Sequence, residues 1–390
     1  MTDASPTNRL LILSENPIDG IWTQLSVWQS QQAAKRHIEA RAQAAELLMD
    51  ADLIEAKSAA LSYCLRTAQE YLRKGEEPLT SRIVSRYYGC LWLASAILAS
   101  DPANDITLER LERFTKFGHG LGNIVNENEN FPDNEYTYIK SSGFFPQFLK
   151  GLGLTPEQVR ATQLPTQRLG GFEDVPKSEF HFLVSLSELL ARIPELHDLY
   201  EYVTGRPALS FAVHYSSINQ SENFKDAEKN NTLSAAPART RDYSWISMPE
   251  EIPKDHLLNN GPPLEELEIR EFAGHRNWTG KLSHPAGEYW YDHLQTYKSA
   301  MSQTCWVRPA LGEIKDALPL HLMLLYQLSI LARYRPAVWR EILQGSWDQY
   351  SALIDAYTRV FDRVVPEMAL RSIFANRVHV TTPGSMFAPI

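Results

Sequence analysis

The hydrophobic and polar positions of this chain predict helices toward both ends and short strands between them. From Leu320 to Ala332 the only side chains with polar atoms are His321, Tyr326, Gln327 and Ser329. A helix over that run is apolar almost all the way round, which predicts a buried element. It is too short for a bilayer, which takes about 20 apolar residues. At Arg335-Pro336 the chain must turn, because the residue before proline leaves the α region while proline suits the first position of a new helix. Trp339, Ile342 and Leu343 then give that second helix an apolar face.

Helical spacing also organises the N-terminal part, with helices expected from about Ile21 to Lys74. In one of them Ile54, Leu61, Leu65, Ala68 and Leu72 share a face and Gly75 marks the stop. From about Thr80 to Ala99 apolar residues cover most of the circumference, so a central rod is predicted, with Arg82 and Arg86 near one end. A helix from near Asp105 carries Leu108, Leu111 and Phe114 inward and stops at the glycines of GHGLGN, which read as a turn before the polar loop NENENFPDNE. Thr155-Pro156-Glu157-Gln158 combines an N-cap, a first-position proline and a capping-box glutamine. A long helical stretch is expected from Lys177, interrupted at Pro194 and closed by Gly205. Near the C-terminus Ser346 can cap a helix whose face is Tyr350, Leu353, Ile354, Tyr357, Phe361 and Val364, Pro366 is expected to start the last helix, and RVHVT reads as a strand.

Between about Arg206 and Ala317 the pattern shifts. SFAVHYSSI, DYSWISM, LEELEIREF, RNWTGKL and SQTCWVRPAL alternate and are rich in aromatic and β-branched residues, which predicts a mostly antiparallel β unit. SENFKDAEKNNTLSAAPARTRD within it reads as a loop. The fold class expected is α+β, mainly α-helical. It divides into an N-terminal helical region (1–205), a β-rich insertion (206–317) and a C-terminal helical region (318–390) that packs on the first.

Composition narrows the function. The 390 residues are 44% hydrophobic and 22% charged, enough for a large core. A net charge of −9 argues against a general nucleic-acid coat, whose affinity comes from Lys and Arg, although a local basic patch stays open. Three cysteines, Cys64, Cys90 and Cys305, lie far apart without a C-x-x-C pair, so a reducing cytoplasm is expected rather than a disulfide framework. The N-terminal apolar run is too short for a signal peptide, and no membrane partner is expected. The P-loop, H-E-x-x-H and G-x-S-x-G signatures are missing, and GHGLGN follows a helix rather than a strand, which argues against a dinucleotide site. His275, His284 and His293 lie near Glu288 and Asp292 but too far apart in sequence for one helix face or a finger. Exposed loop histidines are expected there, and no metal or cofactor. Arg333, Tyr334, Arg335 and Trp339 admit two readings, a corner held by cation–π and carboxylate contacts or an anion-binding site using Arg333 and Arg335.

The order of short motifs resembles the YaaC-like protein family, a poorly characterised prokaryotic group. Its signature near the end is similar to Leu328, Ser329, Leu331 to Tyr334, Pro336 and Trp339 here. Upstream, Trp22, Trp28 and Ala33 come first, then Tyr87-Tyr88-Gly89, His119-Gly120-Leu121, Gly143-Phe144-Phe145 and Ile193-Pro194-Glu195-Leu196. That resemblance implies a HEPN-like helical body. Many HEPN members are metal-independent ribonucleases with an Arg-x(4–6)-His motif, and Arg113 and His119 match its spacing. In the implied mechanism histidine moves a proton while the RNA 2′-hydroxyl attacks the adjacent phosphate, and arginine stabilises the phosphorane. On an ideal helix the two residues stand about 120° apart, so convergence requires a break at Gly118. Arg86 and Lys116 are the nearest candidates to attract the RNA backbone. The resemblance implies a toxin or antiviral-defence ribonuclease, with RNA, a homodimeric copy and a protein from the same operon as partners. The rival expectation is a non-catalytic interaction or ligand-sensing module, favoured by Phe114, the acidic charge and the β insertion.

Overall fold

The apolar rod expected around Tyr87 lies at the centre of the helical packing in the computed structural model. The structure describes residues 9–382 apart from 74, 76, 117, 167–168, 221–240, 251, 253, 255–263, 273, 287–289, 291–296 and 302–303. The chain forms two compact units, one from residues 1–190, 202–204 and 310–390 and the other from 191–201 and 205–309. The protein is mainly α-helical with small, mostly antiparallel sheets.

The first unit opens with strand β1 (Arg9–Leu13) and helices α1 (Pro17–Val27), α2 (Gln31–Ala44), α3 (Ala51–Leu72), α4 (Leu79–Ser100) and α5 (Leu108–Lys116). Strands β2 (Leu121–Val125) and β3 (Glu135–Ile139), helices α6 (Phe144–Gly151) and α7 (Pro156–Ala161), strand β4 (Val184–Ser185) and helix α8 (Leu186–Ala191) follow. Beyond α9 (His197–Thr204) and the second unit, this unit resumes with α10 (Ala317–Tyr334), α11 (Pro336–Gln344) and α12 (Gln349–Phe374). Both α4 and α10 are buried nearly all round, as their composition dictates. Helix α4 packs against α3, α10 and α12. It is also long and apolar enough by length and composition to cross a membrane, and 83% of that apolar window is buried inside the protein. The capping box at Thr155 and Gln158 starts α7 as its sequence predicts.

Several local expectations need correction. Helix α12 runs through Pro366 instead of starting there. A proline inside a helix removes one hydrogen bond and crowds the preceding turn, but Val364, Val365, Ala369, Leu370 and Ile373 bury one continuous face across it. Arg363–Glu367 and Arg371–Glu367 ion pairs bridge the same turns. Ser346 does not cap that helix, because Glu341 accepts from both its N–H and its hydroxyl, and Asp348 takes the N-cap position. The stretch from Lys177 is not one helix. It consists of a 3₁₀ turn (Lys177–Phe182), β4, α8 and a second 3₁₀ turn (Pro194–Leu196). Pairing of Ser185 with Tyr136 and of Val184 with Thr137 draws the chain into a sheet of order β2-β3-β4. That sheet also absorbs the end of GHGLGN and of the Asn/Glu-rich run. RVHVT is β12 (Arg377–Thr381), paired parallel with the unexpected β1.

In the second unit, strands β5 (Ser210–Ala212), β6 (His214–Gln220), β7 (Arg241–Pro249), β8 (Glu265–Phe272), β9 (His275–Pro285), β10 (Tyr297–Lys298) and β11 (Thr304–Val307) build two antiparallel sheets. Their orders are β6-β7-β9-β8 and β10-β11-β5. Val213, Ile246, Met248, Ile252, Leu282 and Trp306 form the core between them. Most of the expected loop, 221–240, lies outside the described residues, as do Glu288, Asp292 and His293. His284 is not an exposed loop histidine. It is buried on β9, with Nε2 2.9 Å from the Ser244 hydroxyl. Strand alternation places it inside the sheet face.

Candidate anion-binding site

The site forms where α5 stops. Its last residue is Lys116, so the helix does end before Gly118. Gly118 and Gly120 then adopt φ of 85° and 78°, a left-handed conformation that glycine takes without the Cβ clash. This turn crosses the start of α6, where the Phe144 and Phe145 N–H groups donate to the carbonyls of Gly118 (3.2 Å) and His119 (2.9 Å). A Cβ on Gly143 would stand 2.5 Å from the Gly120 nitrogen, so the approach needs glycine there. The backbone of His119 is thereby held from both sides, since Lys140 N–H donates to the Gly120 carbonyl at 2.9 Å.

The imidazole of His119 packs edge-on against Tyr87 of α4, with ring centres 5.5 Å apart. Its Nδ1 is buried and has no hydrogen-bond partner among the described residues. Burial is the main cause that lowers its pKa from the ordinary histidine value, followed by the cations Arg333 and Lys140. The ring is therefore neutral at pH 7. The Tyr87 hydroxyl is also buried without a partner among the described residues, and burial pushes its pKa up.

Arg333, on the last turn of α10, completes the group. Its Nε donates to the Ser329 carbonyl and its Nη2 to the Ser329 hydroxyl, both at 3.1 Å, and Nη1 donates to the Tyr88 hydroxyl at 3.1 Å. The guanidinium lies 5.9 Å from the Tyr87 ring centre, 5.8 Å from that of Tyr88 and 4.8 Å from that of Tyr334. No carboxylate among the described residues pairs with it. Aromatic faces attract a cation but leave its charge unneutralised. Tyr326 fixes the geometry by donating to the Leu121 carbonyl (3.2 Å), while Gln327 accepts from Thr137 (2.6 Å) and Asn123 (3.1 Å). These bonds tie α10 to β2 and β3, directly after the His119 turn.

Of the sequence candidates, the structure brings together His119 and Arg333. Arg335 is instead 3.1 Å from the buried Glu135 carboxylate. Burial raises the pKa of Glu135, against the opposing pull of Arg335. Arg86 is 6% exposed and fully engaged, with Nε and Nη2 on Asp362 (3.0 and 2.7 Å) and Nη1 on Glu77 (3.1 Å). Arg113 and Lys116 are exposed on α5 and pair with no carboxylate among the described residues. Neither is among the charges that act on the His119 ring. Tyr87 was visible in sequence as part of the apolar rod and, with Tyr88, of a motif order, and Lys140 carried no signal, because its role comes from the β3–α6 connection. Among the described residues no group of three or more His, Cys, Asp or Glu side chains could hold a metal ion.

Fold and site define a mainly helical protein with a histidine–arginine pair set on tyrosine rings. The chain matches the YaaC-like Protein family over residues 26–373 and belongs to that family. No curated protein and no solved structure matches it.

Proposed function

We propose that the protein is a ligand-sensing member of its family that takes a phosphate-bearing ligand between His119 and Arg333. One observation carries this reading. A half-buried guanidinium without a carboxylate partner among the described residues and an imidazole with a buried, unpartnered Nδ1 share the same Tyr87 ring. A phosphoryl oxygen supplies the missing negative charge and accepts charge-assisted hydrogen bonds from the guanidinium. Lys140, whose charge also acts on the His119 ring, adds attraction for an anion.

A second reading, metal-independent RNA cleavage of the HEPN type, is favoured by the lowered pKa of His119. A neutral imidazole can take the proton of the RNA 2′-hydroxyl as that oxygen attacks phosphorus. Arg333, in place of Arg113, then stabilises the phosphorane charge, and the 5′-oxygen leaves to give a 2′,3′-cyclic phosphate.

Purified full-length protein is titrated with inorganic phosphate, mononucleotides and short RNA, and labelled RNA is incubated in chelator. Arg333→Met is expected to weaken binding of at least one of these by about tenfold or more, the worth of a hydrogen bond to a charged group. If RNA is cut to cyclic-phosphate ends and His119→Ala abolishes the cut, the second reading replaces the first. If phosphate, nucleotide and RNA all fail to bind, both readings fall.

A further inference from the structure

The second unit contains a cavity of about 590 Å³, within the usual range for small-molecule sites. Apolar side chains, Leu199, Phe211, Pro249 and Met301 among them, supply much of its wall. Its polar groups are unequal in sign. Glu195 and Asp198 line it, while among the described residues no lysine or arginine does.

Two of those polar groups are unfinished. Glu195, in the Ile193-Pro194-Glu195-Leu196 stretch, accepts hydrogen bonds at Oε1 from Tyr297 (2.7 Å) and Ser299. Its Oε2 is buried and has no partner among the described residues. Ser210, 1% exposed on β5, also has a buried hydroxyl oxygen without a partner among the described residues. A carboxylate oxygen removed from water and left unbonded costs more than an ordinary missing hydrogen bond, so a donor supplied by a ligand is strongly favoured there. His197 does not compete for this role. Its Nδ1 donates to the Ser210 carbonyl (2.9 Å), and its Nε2 lies 3.6 Å from Glu201.

We infer that this cavity binds a small organic cation, a primary amine carrying an apolar group. The ammonium donates to Glu195 Oε2 and Ser210 Oγ, and the hydrocarbon packs against Leu199, Phe211 and Pro249. A carboxylate ligand is excluded by Glu195 and Asp198, and an alcohol satisfies Glu195 without adding an opposite charge. The site lies wholly within the second unit and stands apart from the phosphate reading.

The test uses the full chain and three probes of like size, 2-phenylethylamine, 2-phenylethanol and 3-phenylpropionate, followed by calorimetry and thermal shift. The amine is expected to bind and raise the melting temperature, with the alcohol and the acid at least tenfold weaker. Glu195→Gln keeps the shape and removes the charge, and should weaken the amine at least tenfold. Ser210→Ala should weaken it severalfold, and serves alone if Glu195→Gln does not fold. The inference is overturned if none of the three probes binds, if the acid or alcohol binds as well as the amine, or if the folded variants keep wild-type affinity.

Discussion

Replacing Arg86 with alanine tests whether a cation on α4 holds the fold or meets a ligand. Its guanidinium spans Asp362 of α12 and Glu77 just before α4, with side-chain exposures of 7% for Arg86, 31% for Asp362 and 17% for Glu77. Arg86→Ala therefore leaves the Asp362 and Glu77 carboxylates without their shared partner, with the charge of Arg82 still acting on Asp362. Breaking a buried ion pair on one side typically costs about 3–5 kcal/mol, most of it the penalty of the charge left behind. A loss of that size lowers the melting temperature by roughly 5–9 °C in a unit this large. Helical ellipticity during thermal and urea unfolding reads it, because most helices belong to the first unit. The pH dependence adds a second check. Burial already raises the pKa of Asp362, and the Arg86 hydrogen bond and charge oppose that rise. Without Arg86 the carboxyl takes up a proton at higher pH, so the cost of the variant should shrink as the pH falls. Arg86→Met with Asp362→Leu should recover part of the loss, since apolar packing replaces that pair while Glu77 keeps its charge. A stability loss below about 1 kcal/mol, or lost phosphate binding at unchanged stability, would refute the structural role and return Arg86 to the ligand.

Two further outcomes follow from buried groups. Trp339 is 5% exposed and its indole N–H donates to Thr80 at 2.8 Å, so Trp339→Ala should cost about 3–5 kcal/mol in urea unfolding, and an unchanged midpoint would contradict that packing. Lys57 is fully buried, donates to Asn104 at 2.8 Å, and has a pKa lowered to about 8 by burial. Below pH 8 both folded and unfolded chains hold that proton. Between pH 8 and the ordinary value of 10.5 the unfolded chain holds it and the folded chain does not, so stability from this group rises with pH. The stability advantage of Lys57→Met at pH 7 should therefore shrink by about 3 kcal/mol by pH 10.5, at 1.36 kcal/mol per pH unit. A difference independent of pH would mean that Lys57 titrates normally.

Elements whose burial follows from their own composition were legible in sequence. Helices α4 and α10 are apolar over most of their circumference, which leaves the interior as their only stable place. The strands β7, β8 and β9 lie where DYSWISM, LEELEIREF and RNWTGKL alternate. Elements made by partners were not. Val184-Ser185 becomes a strand through β3, and Arg9–Leu13 becomes one through β12. Neither has enough length or alternation to announce itself. Pro366 misled for a related reason, because local propensity stops a helix where tertiary burial carries it through.

The candidate site shows the same division between near and distant sequence. Motif spacing pairs Arg113 with His119 because it considers only residues a turn or two apart. The turn that presents His119 was readable, since Gly118 and Gly120 provide the left-handed backbone and so the break after α5. What surrounds the imidazole comes from elsewhere. Tyr87 arrives on α4 and Arg333 on α10, and each is fixed by packing rather than by spacing. Arg333 and Arg335 were indistinguishable in sequence as two arginines beside a proline. The structure separates them by one contact, since Glu135 neutralises Arg335 while serine, tyrosine hydroxyls and ring faces hold Arg333 without cancelling its charge. A charge left uncancelled beside a neutral imidazole is where an anion gains most. Arg333→Lys is therefore a sharper probe than removal, because it keeps the charge but cannot span Ser329 and Tyr88 at once.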